Sequence, residues 1–286
     1  MKRLLFFGLL ALSACKDEPE QIPAYLRIEP FIVNAEGAAG WQEITEGWLY
    51  VNGEFLGAYT LPATIPVLAE GDAELFIFPG IKENGISSTP NIYPFLTRST
   101  QTKKLTPAET TAVQPGTAYD PATVFAWALN RCSFDGGSSI TLENRDGDAV
   151  TGYDITTDGG FSGNSVRLAV DTAHNLMDVA TEAVSLPGTY ENPVWLELHF
   201  ASDMPFSLFL LGQSGSLSEV NQVVYGFNST DGAWNKIYIN LTDFLISMNQ
   251  EKYRLLFDTS LPRDAQGNFS QNTGTVRLDN IRLLHF

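Results

Sequence analysis

The chain has 286 residues, with 33 acidic against 17 basic side chains and a net charge of −16. An excess of negative charge on that scale disfavours nucleic acid and anionic lipid head groups as partners, and favours solubility outside the cell. Only two cysteines, Cys15 and Cys132, are present, so the fold rests on apolar cores instead of a disulfide framework.

Met1-Lys2-Arg3 leads into an apolar run from Leu4 to Leu12, which ends in Leu12-Ser13-Ala14-Cys15. A basic start, a short apolar stretch and small residues before a cysteine form a bacterial lipoprotein signal. The run is too short to span a bilayer, which needs about 20 residues. The sequence therefore predicts removal of residues 1–14, covalent lipid on Cys15, and an acidic tether over 15–23. Two or more acyl chains make such an anchor stable. Lys2 and Arg3 leave with the signal, so the remaining chain sets fifteen basic against 33 acidic residues, a net charge of −18. The segment Lys16-Asp17-Glu18-Pro19-Glu20 resembles the surface-export signal of Bacteroidota lipoproteins. That resemblance implies an outer-membrane protein facing the cell exterior.

Past the tether the chain reads as all-β. Short stretches rich in Val, Ile, Leu, Phe, Tyr and Thr recur between Gly, Pro, Asn and Asp clusters. Residues 24–117 form the first unit, a small β-sandwich. Tyr25 to Glu29 alternates apolar and polar residues, and Asn52-Gly53 between apolar runs signals a tight hairpin. The order of elements from Trp48 to Phe78 resembles PEGA-type and carboxypeptidase-regulatory-type β-sandwiches, which implies a structural module without catalysis. Pro79 to Pro94 reads as a long Gly/Pro/Asn-rich loop beside Tyr93 and Phe95. It is either a docking surface presenting those two rings or a packed Ω-loop that buries them.

Residues 118–132 form a connector, with Phe125 to Leu129 able to pack on either unit. Cys132 lies in an apolar setting and reads as a small buried hydrophobe. The second unit spans 133–286, with strands expected at Ser165–Asp171, Val194–Ala201, Phe206–Leu211, Gln222–Phe227, Trp234–Leu241, Tyr253–Phe257 and Gly274–Phe286, and helix near Thr242 to Gln250. Trp234 to Phe244 and Val276 to Leu283 resemble the closing strands of galactose-binding-like jelly rolls. Such jelly rolls serve as glycan-binding modules or as structural units. The expected fold class is thus a small β-sandwich followed by a larger jelly-roll β-sandwich.

Chemistry-bearing residues are few. His174, His199 and His285 are far apart in sequence, and no G-x-S-x-G, H-E-x-x-H or C-x-x-C occurs. No enzyme is expected. Glu143-Asn144-Arg145-Asp146-Gly147-Asp148 gathers hard oxygen donors around a glycine, as Ca²⁺ requires, or is an Asp/Gly turn. By resemblance to jelly rolls that hold structural Ca²⁺, Glu143, Asp146, Asp148 and Asp279 would share one ion. Trp195 and Trp234 either stack on a sugar ring or fill the sandwich core. The sequence favours an accessory or scaffold subunit of an outer-membrane β-barrel complex, acting through protein–protein contacts. The alternative is glycan binding by the C-terminal jelly roll.

Overall fold

The computed structural model describes residues 20–34 and 42–286. The expected signal peptide, Cys15 and most of the expected tether lie outside the described residues. The strands in chain order are β1 (Ala24–Ile28), β2 (Ile32–Val33), β3 (Glu46–Val51), β4 (Glu54–Thr60), β5 (Ala63–Val67), β6 (Gly71–Lys82), β7 (Pro90–Ile92), β8 (Ser99–Leu105), β9 (Thr110–Val113) and β10 (Gly116–Thr117). After β11 (Val124–Phe125) and a helical turn, α1 (Leu129–Cys132), come β12 (Leu142–Asn144), β13 (Tyr153–Thr156), β14 (Ser165–Asp171), β15 (Leu176–Thr181) and β16 (Trp195–Ser202). The chain closes with β17 (Phe206–Gln213), β18 (Val220–Phe227), β19 (Asn235–Asn240), α2 (Thr242–Met248), β20 (Lys252–Ser260) and β21 (Thr273–His285).

In the N-terminal sandwich a three-stranded sheet, β5-β1-β9, faces a five-stranded one, β4-β3-β6-β7 with β8 also on β6. Alternation on these strands sends Leu26, Ile28, Leu49, Val51, Leu75 and Ile77 into one core. The expected hairpin is present: Asn52 and Gly53 have φ of 50° and 85°, and Val51 pairs with Glu54. Both positive angles are what a two-residue turn matching the strand twist needs.

The C-terminal unit is a jelly-roll sandwich. A six-stranded sheet, β13-β14-β21-β16-β19 with β11 on β21, packs on a five-stranded one, β12-β15-β20-β17-β18. Its core includes Leu196, Leu198, Phe200, Leu208, Leu210, Leu255, Phe257, Leu278 and Leu283. Cys132 is buried there, and burial pushes its thiol up to about 12. While β20 alternates buried and half-buried positions, all eight residues of β16 are buried. One face of β16 meets the sandwich core, so something else must cover the other.

The N-terminal sandwich is part of that cover. A third apolar cluster joins Ile81, Tyr93, Phe95 and Leu96 to Trp195, Tyr238 and Leu284, with Phe125 and Phe286 packed against it. The Tyr93 ring lies 5.4 Å from Phe95, 5.6 Å from Trp195 and 4.9 Å from Tyr238, tilted edge-on to all three. Each such pair contributes about 0.5–1.5 kcal/mol beyond area burial. Three binding candidates take their packing alternative instead: Tyr93 and Phe95 are 0% exposed and Trp195 is 2% exposed. The expected loop is also shorter, because β6 continues to Lys82 and β7 pairs back on it through Gly80 and Ile92. Only residues 83–89 remain as a turn, and the two aromatics follow it into the junction.

Candidate functional site

On β16 and β19 the side chains pointing away from the sandwich core are Trp195, Glu197 and His199, and Lys236, Tyr238 and Asn240. In register, Trp195 faces Asn240, Glu197 faces Tyr238 and His199 faces Lys236. The N-terminal sandwich covers the Trp195 and Tyr238 end. The His199 and Lys236 end runs out from under it, and a groove begins there.

Glu197 marks the transition. Its carboxylate is fully buried and accepts from the Tyr93 hydroxyl at 2.8 Å, the Tyr119 hydroxyl at 3.0 Å, Lys236 Nζ at 2.9 Å and Gln42 Nε2 at 3.1 Å. Arg282 Nη1 stands 3.6 Å away. The approach of Arg282 has a backbone cause. Opposite Glu197 and His199, β21 carries an extra residue, with Asn280 in the left-handed region at φ 49°. Such a bulge re-aims the side chains beside it. Burial alone would raise the Glu197 carboxyl, but Lys236 and Arg282 outweigh it and hold the group below its ordinary value. Burial draws the Lys236 ammonium down to about 8 although Glu197 pulls the other way. His199 is held neutral, at about 2, by burial and by the cations Lys236 and Arg282. Its Nδ1 has no hydrogen-bond partner among the described residues.

Two concavities of about 320 and 330 Å³ abut along β19 and share Glu43, Asn235 and Lys236. The first opens between β18 and β19, the edge strands of the two C-terminal sheets. Tyr225, Phe227 and the loop Asn228–Thr230 form one wall, and Lys82 and Gly85 of the N-terminal sandwich form the other. That second wall is fixed by a bridge between Glu83 and Tyr238 and by the Asn84 amide, which donates to the Tyr238 carbonyl at 2.8 Å. The turn demands glycine next, since Gly85 has φ of 67° and lies close to Ile237 and the Tyr225 hydroxyl.

The second concavity is lined by Gln42, Phe161, His199 and Trp234. Trp234 is half-buried, and its indole Nε1 donates to the Gly159 carbonyl at 3.1 Å. Phe161 meets Trp234 edge-on at 5.5 Å and stacks on His199 at 4.1 Å. Together the two concavities offer a ring-walled end, a run of amide and hydroxyl groups, a carboxylate from Glu43, an ammonium from Lys82 and a floor where Glu197 is paired with Lys236 beside Arg282. Such a surface suits a ligand with both apolar faces and many hydroxyls.

Of the four binding residues singled out from sequence, only Trp234 lines this groove; His199, one of the three histidines found far apart in sequence, lines it too. The calcium set does not converge. Glu143 pairs with Arg254, Asp146 accepts from the Asp148 amide and the Thr151 hydroxyl, and Asp148 takes the ring of His174. Asp279 lies on the other sheet, accepts from Ser165, and is pushed up to about 7 by burial. Among the described residues no group of three or more His, Cys, Asp or Glu is placed to hold a metal ion. Residues 144–151 form the self-bonded Asp/Gly turn that was the alternative. Phe161, Lys236 and Tyr225 were missed. Phe161 had one local signal, its place inside Gly159-Gly160-Phe161-Ser162-Gly163, whereas the others meet only through sheet pairing.

No family model matches the chain, and no curated protein does. Among solved structures it is similar to the family 11 carbohydrate-binding module of a cellulosomal cellulase of Clostridium thermocellum, at 16% identity over 52% of this chain and 90% of that one, with a TM-score of 0.36. A xylan-binding CBM22-2 domain from Paenibacillus barcinonensis gives 11% identity, 56% and 100% coverage, and a TM-score of 0.39. A module solved with β-1,4-galactotriose gives 11% identity, 54% and 95% coverage, and a TM-score of 0.35. At these values the ligands of those modules remain theirs, and the ligand of this chain has to be argued from its own residues.

Proposed function

We propose that this protein is a non-catalytic saccharide-binding lipoprotein of a bacterial cell envelope, held to the outer membrane by lipid on Cys15. The groove along β19 is its binding site. One observation carries the reading: Trp234 and Phe161 form an aromatic wall beside a row of hydroxyl and amide groups, over a floor where the buried Glu197 carboxylate is paired with Lys236. A pyranose presents the matching surface, with C–H faces for the rings and hydroxyls for the polar groups. His199 suits this role as a neutral imidazole, since it brings no charge to be desolvated when a ligand enters. The scaffold expectation took loop 79–95 as its docking surface, and the rings of that segment, Tyr93 and Phe95, are consumed by the junction. Saccharide binding is therefore the better-supported reading.

A glycan array probed with the lipid-free chain (Cys15→Ser) tests it. The expected result is saturable binding to a restricted set of oligosaccharides, weakened about tenfold or more, near 1.4 kcal/mol, by Trp234→Ala. Absence of any saccharide ligand would sink the proposal.

A further inference from the structure

The N-terminal sandwich carries a separate set of partly exposed rings. Trp48 and Tyr50 on β3, Phe55 on β4, and Phe76 and Phe78 on β6 occupy the outer face of the larger sheet, while the alternate residues Leu49, Val51, Leu75 and Ile77 fill the core. Phe55 is 49% exposed and lies 5.5 Å from Trp48 and 5.0 Å from Tyr50, which in turn lies 5.5 Å from Phe78. The Arg98 guanidinium sits 4.1 Å over Phe76 and 5.7 Å from Phe78.

Arg98 is unusual in one respect. Every other arginine among the described residues makes a hydrogen bond or ion pair within the chain. Arg98 makes neither and is exposed. In a protein with about twice as many acids as bases, an unpaired cation fixed on a ring face is a prepared partner for an incoming anion. Beside it opens a concavity of about 550 Å³, lined among others by Phe78, Pro94, Thr97, Arg98, Thr100 and Asp120. Asp120 brings a like charge to any anion, but its Oδ1 already accepts from the Ala122 amide, and it can accept from a hydroxyl. The chemistry asked of a ligand is a flat apolar face, a carboxylate and hydroxyls.

We propose that this face is a second saccharide site, selective for acidic sugars of the uronate class. Arg98 holds the carboxylate, Phe78 carries the ring face, and Thr100 and Asp120 take hydroxyls. The site shares no lining residue with the groove along β19 and does not depend on it.

Titration calorimetry with the lipid-free chain tests the proposal, using a short oligogalacturonate and its methyl ester, which removes the charge and keeps the backbone. The acid form is expected to bind saturably. Methyl esterification and Arg98→Ala should each weaken it about tenfold or more, the worth of a hydrogen bond to a charged group. Arg98→Lys should retain part of the affinity, added salt should weaken binding, and Trp234→Ala should leave it unchanged. Equal binding of acid and ester, no saturable binding, or wild-type affinity in a normally melting Arg98→Ala variant would each overturn the assignment. Cross-linking from position 55 to an envelope protein, without uronate binding, would assign the face to a protein partner and overturn it equally.

Discussion

Trp195 and Trp234 flank opposite ends of one sheet face, and the chain treats them differently. Trp195 is closed into the junction by Tyr93 and Phe95, whereas Trp234 stands beyond the N-terminal sandwich and keeps part of its indole open. Glu197 lies between them, binding the junction through Tyr93 and Tyr119 and the groove floor through Lys236. The lesson is that the same outward-pointing register gives a packing residue or a binding residue according to what a second module covers.

The sharpest way to break this arrangement is to remove its shared carboxylate. Glu197→Ala leaves Lys236 and Arg282 buried beside each other, and an uncompensated buried charge costs about 3–5 kcal/mol. Urea unfolding should show that loss, with the groove and the junction failing together. Trp195→Ala follows, at about 3 kcal/mol or more for a large cavity in the junction, read from the same unfolding curves. Trp234→Ala should lie at the other extreme, costing less than about 1 kcal/mol of stability because its side chain is only half-buried. If the two tryptophan variants destabilised equally, the division between junction and groove would be wrong.

His199 gives a smaller and pH-dependent effect. Its folded value of about 2 lies below the ordinary 6.5, so below pH 6.5 the unfolded chain binds a proton that the folded one refuses. Its stabilising contribution is complete above pH 6.5 and is lost as pH falls from there toward 2, at about 1.4 kcal/mol per pH unit. The substitution His199→Gln removes that titration. Its stability should therefore fall more gently than the wild type between pH 6.5 and 5, whereas parallel curves would show that His199 is not the neutral group described.

Much of the fold was legible in the sequence because its signals are local. Asn52-Gly53 fixes its hairpin through backbone angles alone, Ser165–Asp171 alternates cleanly, and the helix expected from Thr242 forms as α2. Short β12 and β13 escaped notice because three or four residues carry no period. The site was far less legible. Lys236 and Glu197 are neighbours only through sheet pairing, and the burial of Tyr93 depends on a strand more than a hundred residues away. The exposure of Trp195 does not follow from the sequence, since alternation along β16 names its face and not its cover. The calcium reading failed for a related reason: closeness in sequence brought Asp146 and Asp148 together, but each satisfied its own turn.

The central claim is that the groove binds a saccharide through Trp234. Its most direct test is titration of the best array oligosaccharide into wild-type and Trp234→Ala chains whose thermal melts agree. A loss of about tenfold or more in affinity at unchanged stability is the predicted result. Equal affinity in the two chains would contradict it.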